Sequence, residues 1–390
     1  IESLEVAYRE QEASKAPGID GITKAEYGIN LRDKLVKLLD RIRRGSYHPQ
    51  PARIVEIPKE DGSTRPLAIA CFEDKLVQSV MNKILCQVFE PTFLDCSYGF
   101  RPGRNCHDAL IALRQGLMAM PDGGVVEIDI RKYFNTIPLQ PLIDLIKKRI
   151  TDTKFLRLLT KLLKAPTIKD NKIEANERGC PQGSIISPIL ANIYLHHVID
   201  EWFASISKSH MQGQTKMVRY ADDMAFIFEE YHDAERFYAV LPKRLKKYGL
   251  EMKEEKSQIL KSGRHNATKE VAAGRRLGTY RFLGFIVYWG KDRFGRWRPK
   301  YKSRGDRFTA TLKRLSKYLR ENLTTSYTGE CLKRVAIAVK GWINYHAISD
   351  NQRRVSSFIS KTLWMIFRWY NRRGKRSITW VRLIAAMKRI

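Results

Sequence analysis

Tyr220-Ala221-Asp222-Asp223 stands between two apolar runs, Met217-Val218 before it and Met224-Ala225-Phe226-Ile227-Phe228 after it. The pattern predicts strand, tight turn, strand, with two carboxylates at the tip of a hairpin. Adjacent carboxylates repel one another unless a cation sits between them. Oxygen ligands of this kind suit Mg²⁺, which takes one or two carboxylates plus substrate phosphates. Read alone, the pair is equally well a solvated surface turn.

A second acid changes the balance. Val125-Val126-Glu127-Ile128-Asp129-Ile130 is a short apolar run that carries Asp129 to the end of a predicted strand. Three carboxylates from neighbouring strands would form a two-metal site, the metals about 3.5–4 Å apart, clamping attacking and leaving oxygens. Taken singly, Asp129 is a strand-end acid facing water.

The 390 residues carry 71 basic and 41 acidic side chains, a formal charge of +30. That length accommodates two or three domains. No apolar run approaches the roughly 20 residues of a membrane helix, and no signal peptide is read at Ile1. Six cysteines without a Cys-x-x-Cys pair or Cys/His spacing for zinc predict reduced thiols and a cytosolic setting. The charge is uneven: residues 261–390 hold 32 Lys and Arg against 6 Asp and Glu, and six of the seven tryptophans. Cations interleaved with aromatics fit a nucleic-acid surface, since cations neutralise phosphates and rings stack on bases. Without a polyanion such a charge density opposes compaction.

Along the chain, residues 1–50 read as polar helices broken at Ala16-Pro17-Gly18-Ile19-Asp20-Gly21. Arg53–Lys59 and Arg65–Ile69 predict a hairpin with a mobile tip. Asp74 is the expected cap of an amphipathic helix stopped by Pro91. Ser187-Pro188 is expected to open another helix, with Ser187 as N-cap. A helix over 233–248 contains Pro242, and three helices are expected beyond residue 306. The order predicts an α+β chain ending in a basic helical region.

With these pieces in order, the chain resembles the group II intron-encoded reverse transcriptase/maturase family over nearly its whole length. Ile57-Pro58-Lys59 through Arg65-Pro66-Leu67 resembles the family's fingers hairpin, which implies that Lys59 and Arg65 hold the triphosphate of a dNTP. Ser97-Tyr98-Gly99-Phe100-Arg101-Pro102-Gly103-Arg104 is characteristic of it and implies Arg101 and Arg104 near template or nucleotide phosphates. Asp129-Ile130-Arg131-Lys132-Tyr133-Phe134 resembles the first palm motif. There Asp129 and the Ile130 carbonyl would bind metal, and Phe134 would exclude a ribose 2′-OH or else simply pack in the core. Gly179-Cys180-Pro181-Gln182-Gly183-Ser184, followed by Ser187–Leu195, resembles the template and nucleotide motif. Gln182 would face the sugar, with Gly183 and Ser184 beside the template, although the family most often has Gly where Ser184 stands.

Asp222 and Asp223 fall in the metal-binding hairpin of the palm. Lys256 is the candidate general acid for pyrophosphate, or a plain surface lysine. Phe282-Leu283-Gly284-Phe285 resembles the primer grip, with Leu283 and Gly284 against the primer. Gly341-Trp342-Ile343-Asn344-Tyr345 resembles the thumb/maturase region, with Trp342 against nucleic acid. No Cys/His cluster follows, so a chain lacking the family's endonuclease domain is expected.

The resemblance implies a right-hand polymerase: an N-terminal extension over 1–50, fingers and an antiparallel palm over 51–290, and a helical thumb over 291–390. It implies a reverse transcriptase with two Mg²⁺ ions, an RNA template, a DNA or RNA primer, dNTPs and a structured intron RNA, in a bacterial cytoplasm. Three rivals remain at this stage. They are a relative recruited to CRISPR adaptation or phage defence, an RNA-binding splicing factor with little polymerase activity, and an RNA-dependent RNA polymerase, against which Phe134 argues.

Overall fold

The computed structural model describes residues 1–58, 62, 64–170, 172–323, 328–373 and 378–387. Lys59 and most of the tip of the first hairpin lie outside the described residues. The chain packs as two compact units, Ile1–Lys261 and Ser262–Ile390. Position 290, where the resemblance implies a division, lies inside the strand Phe285–Lys291, whose Gly290 and Lys291 pair with Arg298 and Trp297.

The first unit is organised by an antiparallel sheet in the order Thr215–Tyr220, Asp223–Phe228, Gly124–Ile128, Gln258–Lys261. Its two central strands, apolar apart from Asp223 and Glu127, are buried along nearly their whole length because both faces are covered. On one face Phe226 and Phe228 pack on Phe237 of the helix Tyr231–Lys247, at centroid distances of 4.6 and 5.3 Å. On the other lies the helix Cys106–Ala119, where Gly116 stands so close to the Ile227 side chain that a Cβ would come within 2.5 Å. A second sheet joins Thr64–Ile69 to Ala52–Pro58, then Thr167–Lys169 and Lys172–Glu174.

Two predicted caps act differently. The helix Phe72–Phe89 begins at Cys71, and Asp74 lies buried within it. Its carboxylate accepts from the Tyr47 hydroxyl and, at 3.0 Å, from the Gln50 backbone N–H. Asp74 therefore ties the N-terminal segment to this helix. Ser187 is the first residue of the helix Ser187–Leu195, and its hydroxyl donates to the Pro181 carbonyl at 2.8 Å.

The second unit begins with the helix Arg264–Ala272, then the sheet Tyr280–Phe282, Phe285–Lys291, Trp297–Ser303. Among the described residues four helices follow instead of the expected three: Gly305–Asn322, Thr328–His346, Gln352–Arg373 and Trp380–Met387. Phe308, Leu315, Leu319, Val335, Phe358 and Ile366 form their core. No helix among the described residues is long and apolar enough to cross a membrane.

Candidate active site

The three acids meet at one end of the first unit's central sheet. Ile128 is level with Met224, so one residue further Asp129 is level with Asp223. On its other side Glu127 is level with Gln258, which brings Asp129 level with Lys256. The Lys256 ammonium is 3.9 Å from the Asp129 carboxylate. Asp129 is held by its backbone: its N–H donates to the Ser257 hydroxyl at 3.2 Å, and its carbonyl accepts from the Lys253 N–H at 2.8 Å. Ile130, buried, bridges to Met252.

Asp222 sits in the two-residue turn of the acidic hairpin, after Ala221, which adopts φ +55°. Burial pushes the Asp222 carboxyl above the usual carboxylate range. The charge of Asp129 adds to that push, while Arg65 and Arg219 oppose it. The two acids thus feel one another's charge, and Arg65 on the strand Thr64–Ile69 lies within electrostatic reach. A donor set of this kind suits a hard divalent cation, which removes the repulsion. Among the described residues no group of three or more His, Cys, Asp and Glu side chains stands ready to hold a metal, so the fit rests on Asp129 and Asp222, with Asp223 beginning the next strand.

The hairpin is buttressed by a buried network that inspection of motifs missed. Arg219, with a fully buried side chain, donates from Nε and Nη2 to the equally buried Asp200 at 2.8 and 2.5 Å. Its Nη1 donates to Asn192 Oδ1 at 2.9 Å and to the Ala221 carbonyl at 3.2 Å. Burial alone would raise the Asp200 carboxyl, yet Arg219 overrides it and the net shift is downward. Asn192 donates in turn to the Gly99 carbonyl at 2.8 Å. Gly99 must be glycine, since a Cβ would stand 2.4 Å from the Ala221 nitrogen. The sequence signal was present: Arg219 interrupts an apolar strand one residue before the motif, and Asp200 ends an apolar helical run.

The loop at 179–184 is pinned beside these acids. Cys180 N–H donates to the Phe134 carbonyl at 2.7 Å, and Ala68 N–H to the Gln182 carbonyl at 2.6 Å. Gln182 Oε1 is buried without a hydrogen-bond partner in the structure. Gly183, at φ +105°, leaves only 2.6 Å between an added Cβ and the Ala68 carbonyl. Ser184 donates to Gln78 at 3.1 Å, which also accepts from the Ile185 N–H. Phe134 is half-buried, edge-on to Phe100 at 6.4 Å.

Five residues expected at nucleic acid, Arg101, Arg104, Trp342, Leu283 and Gly284, are engaged with protein groups. Arg101 is buried, donating to Glu90 at 2.7 Å and to the carbonyls of Leu94 and Ser97 at 2.7 and 3.0 Å. It staples its loop and has no face to offer a phosphate. Arg104 donates to the Asp95 carboxylate at 2.6 Å and its carbonyl at 2.9 Å. In the second unit Trp342 stacks on Phe358 at 3.9 Å within the helical core. Leu283 is buried in a tight turn at φ +47°, its carbonyl accepting from the Tyr345 hydroxyl at 2.8 Å. Gly284 follows at φ +77°, where a Cβ would meet Arg307.

The profile of the family described as Reverse transcriptase (RNA-dependent DNA polymerase) matches residues 57–287, more than half of the chain. Protein YkfC of Escherichia coli K12 is 35% identical over 210 residues, covering 52% of this chain and 53% of that protein. The group II intron-encoded protein LtrA of Lactococcus lactis is 36% identical over 259 residues, 65% of this chain and 40% of that protein. The matched region therefore spans about half or less of these relatives. Among solved structures, apo telomerase of Candida tropicalis aligns with 61% of this chain and 53% of that one, at TM-score 0.48 and 13% identity.

Proposed function

The chain belongs to the reverse transcriptase family, and on that premise we propose that it is of the group II intron-encoded branch and copies RNA into DNA. A primer 3′-hydroxyl attacks the α-phosphate of a dNTP in line, and pyrophosphate leaves. The observation that carries the reading is the meeting of Asp129 and Asp222 at one sheet end, close enough for the charge of one to raise the other's carboxyl.

Asp129, Asp222 and Asp223 would hold the divalent metal, in the full proposal two Mg²⁺ ions. The metal supplies charge neutralisation at the phosphates and a more acidic primer hydroxyl. The remaining work falls to the chain. Arg65, and Lys59 beyond the described residues, neutralise the triphosphate. Gln182 offers its unpaired Oε1 to the nucleotide sugar, and Phe134 closes the space where a 2′-hydroxyl would lie. Lys256, beside Asp129, gives a proton to departing pyrophosphate. Gly183 and Ser184 border the template. In domain terms, residues 1–50 are an extension, the sheet unit is fingers and palm, and the basic helices are the thumb. The net charge of the region after residue 261 favours a second role beside synthesis, the gripping of a structured intron RNA as a maturase.

The test is primer extension on an RNA template with dNTPs and Mg²⁺. Asp222→Ala should lower the rate by about a thousand-fold, the scale of losing a preorganised charge site. Extension by the variant at the wild-type rate removes the metal-site assignment. Phe134→Ala should raise ribonucleotide incorporation about tenfold, one methylene-scale steric contact or more. Unchanged discrimination makes Phe134 a packing residue only.

A further inference from the structure

We propose that the tip of the hairpin formed by Phe285–Lys291 and Trp297–Ser303 is a stacking site for an unpaired base of an RNA strand, with Phe294 as the platform. It deepens the polymerase reading by naming where the basic unit touches a base. Phe294 is 65% exposed at the tip of the hairpin. The tip holds it there. The Asp292 carboxylate accepts from the backbone N–H groups of Phe294 and Arg296 at 2.8 and 3.0 Å. Asp292 N–H donates to the Arg296 carbonyl at 2.9 Å, and Gly295, at φ +77°, closes the turn. The ring is thus presented in advance, and little ordering is required when a ligand arrives.

Charge decides the ligand. The guanidinium groups of Arg293 and Arg296 lie over the ring at 4.7 and 5.1 Å. Below the tip, Lys300 and Lys302 alternate along one strand while Pro299, Tyr301 and Ser303 turn into the core. Alternate strand residues stand about 6.7 Å apart on one face. Lys300 and Lys302 therefore make a short row of cations leading to a ring. A nucleic-acid strand presents the complementary order, repeated phosphates with π-faced bases. A base displaces the Arg293 guanidinium from the ring because stacking outweighs an exposed cation–π contact, and Arg293 then meets a phosphate, while Arg296 stays on the Asp292 carboxylate at 3.2 Å.

The test uses the full chain and a short single-stranded RNA carrying a fluorescent purine analogue. Wild type should bind and quench the analogue. Phe294→Ala should bind about tenfold more weakly and leave the analogue bright, while Phe294→Trp keeps both binding and quenching. The position is exposed, and an unchanged melting curve confirms that the variants fold. Wild-type affinity and quenching in Phe294→Ala overturn the proposal, as does wild-type binding without quenching. Failure of wild type to bind RNA at low salt overturns it too and points to an acidic protein partner. Primer extension by the same preparation separates the readings. Extension with no quenching removes the tip alone; quenching with no extension removes the polymerase reading alone.

Discussion

The two units treat charge in opposite ways. Residues 1–261 carry 40 basic and 35 acidic side chains, whereas residues 262–390 carry 31 and 6. In the first unit the decisive charges are internal: Arg219 against Asp200, Arg101 against Glu90, and Asp74 under two donors. In the second, apolar and aromatic contacts form the helical core, and cations such as Lys313 and Arg314 are exposed. Buried charge must be matched partner by partner, because an unpaired ion in the interior is costly. Exposed charge is answered by solvent or a polyanion. The first arrangement suits a site whose geometry must hold still, the second a surface that grips a long anion.

The comparison breaks most visibly at Arg219. Arg219→Met should cost the first unit about 3–5 kcal/mol, by leaving Asp200 buried and alone. Circular dichroism during denaturant unfolding follows both units. Tryptophan fluorescence follows mainly the second, which holds six of the seven tryptophans. An early circular dichroism transition with an unmoved fluorescence transition is expected; a loss under about 1 kcal/mol would deny the network its role.

A smaller effect is expected at Asp74. Burial raises its carboxyl to about 6, well above the ordinary aspartate value of 3.8. The folded state therefore holds the proton more tightly than the unfolded chain. Stability linked to this group is fully present below the unfolded value and lost as pH climbs toward about 6, by at most about 3 kcal/mol. Asp74→Asn, weaker at low pH for want of the second acceptor, should lack this fall. Parallel pH profiles for variant and wild type between pH 4 and 6 would clear Asp74 of any linkage.

The smallest expected effect sharpens the contrast. Neutralising Lys313 and Arg314, both exposed in the second unit, should flatten the salt dependence of RNA affinity by about 0.7 per lost phosphate contact. The same change at exposed Arg43 and Arg44 of the first unit should leave the slope as it was. Equal responses would mean that RNA binding ignores the division between units.

Much of the site was legible because its signals are local. Two acids in a turn between apolar runs, a third at a strand end and a glycine-rich loop before a proline-started helix each occupy a few consecutive residues, and turn chemistry and side-chain periodicity act over that range. The protein partners of Arg101 and Arg104 were not legible, for the complementary reason. An arginine offers the same five donors to water, phosphate or protein, and its neighbours in sequence do not say which will take them. Trp342 likewise reads as a stacking surface until Phe358 covers it.

By itself the sequence determined the fold class, the family and which acids share a sheet end, because strand periodicity, turn residues and charge content are properties of short segments. Tertiary structure alone decided which charges are structural. Arg219 meets Asp200 across 19 residues and Asn192 across 27, and Asp74 meets Tyr47 across 27. Burial makes those pairs obligatory, and burial comes only when the chain has packed.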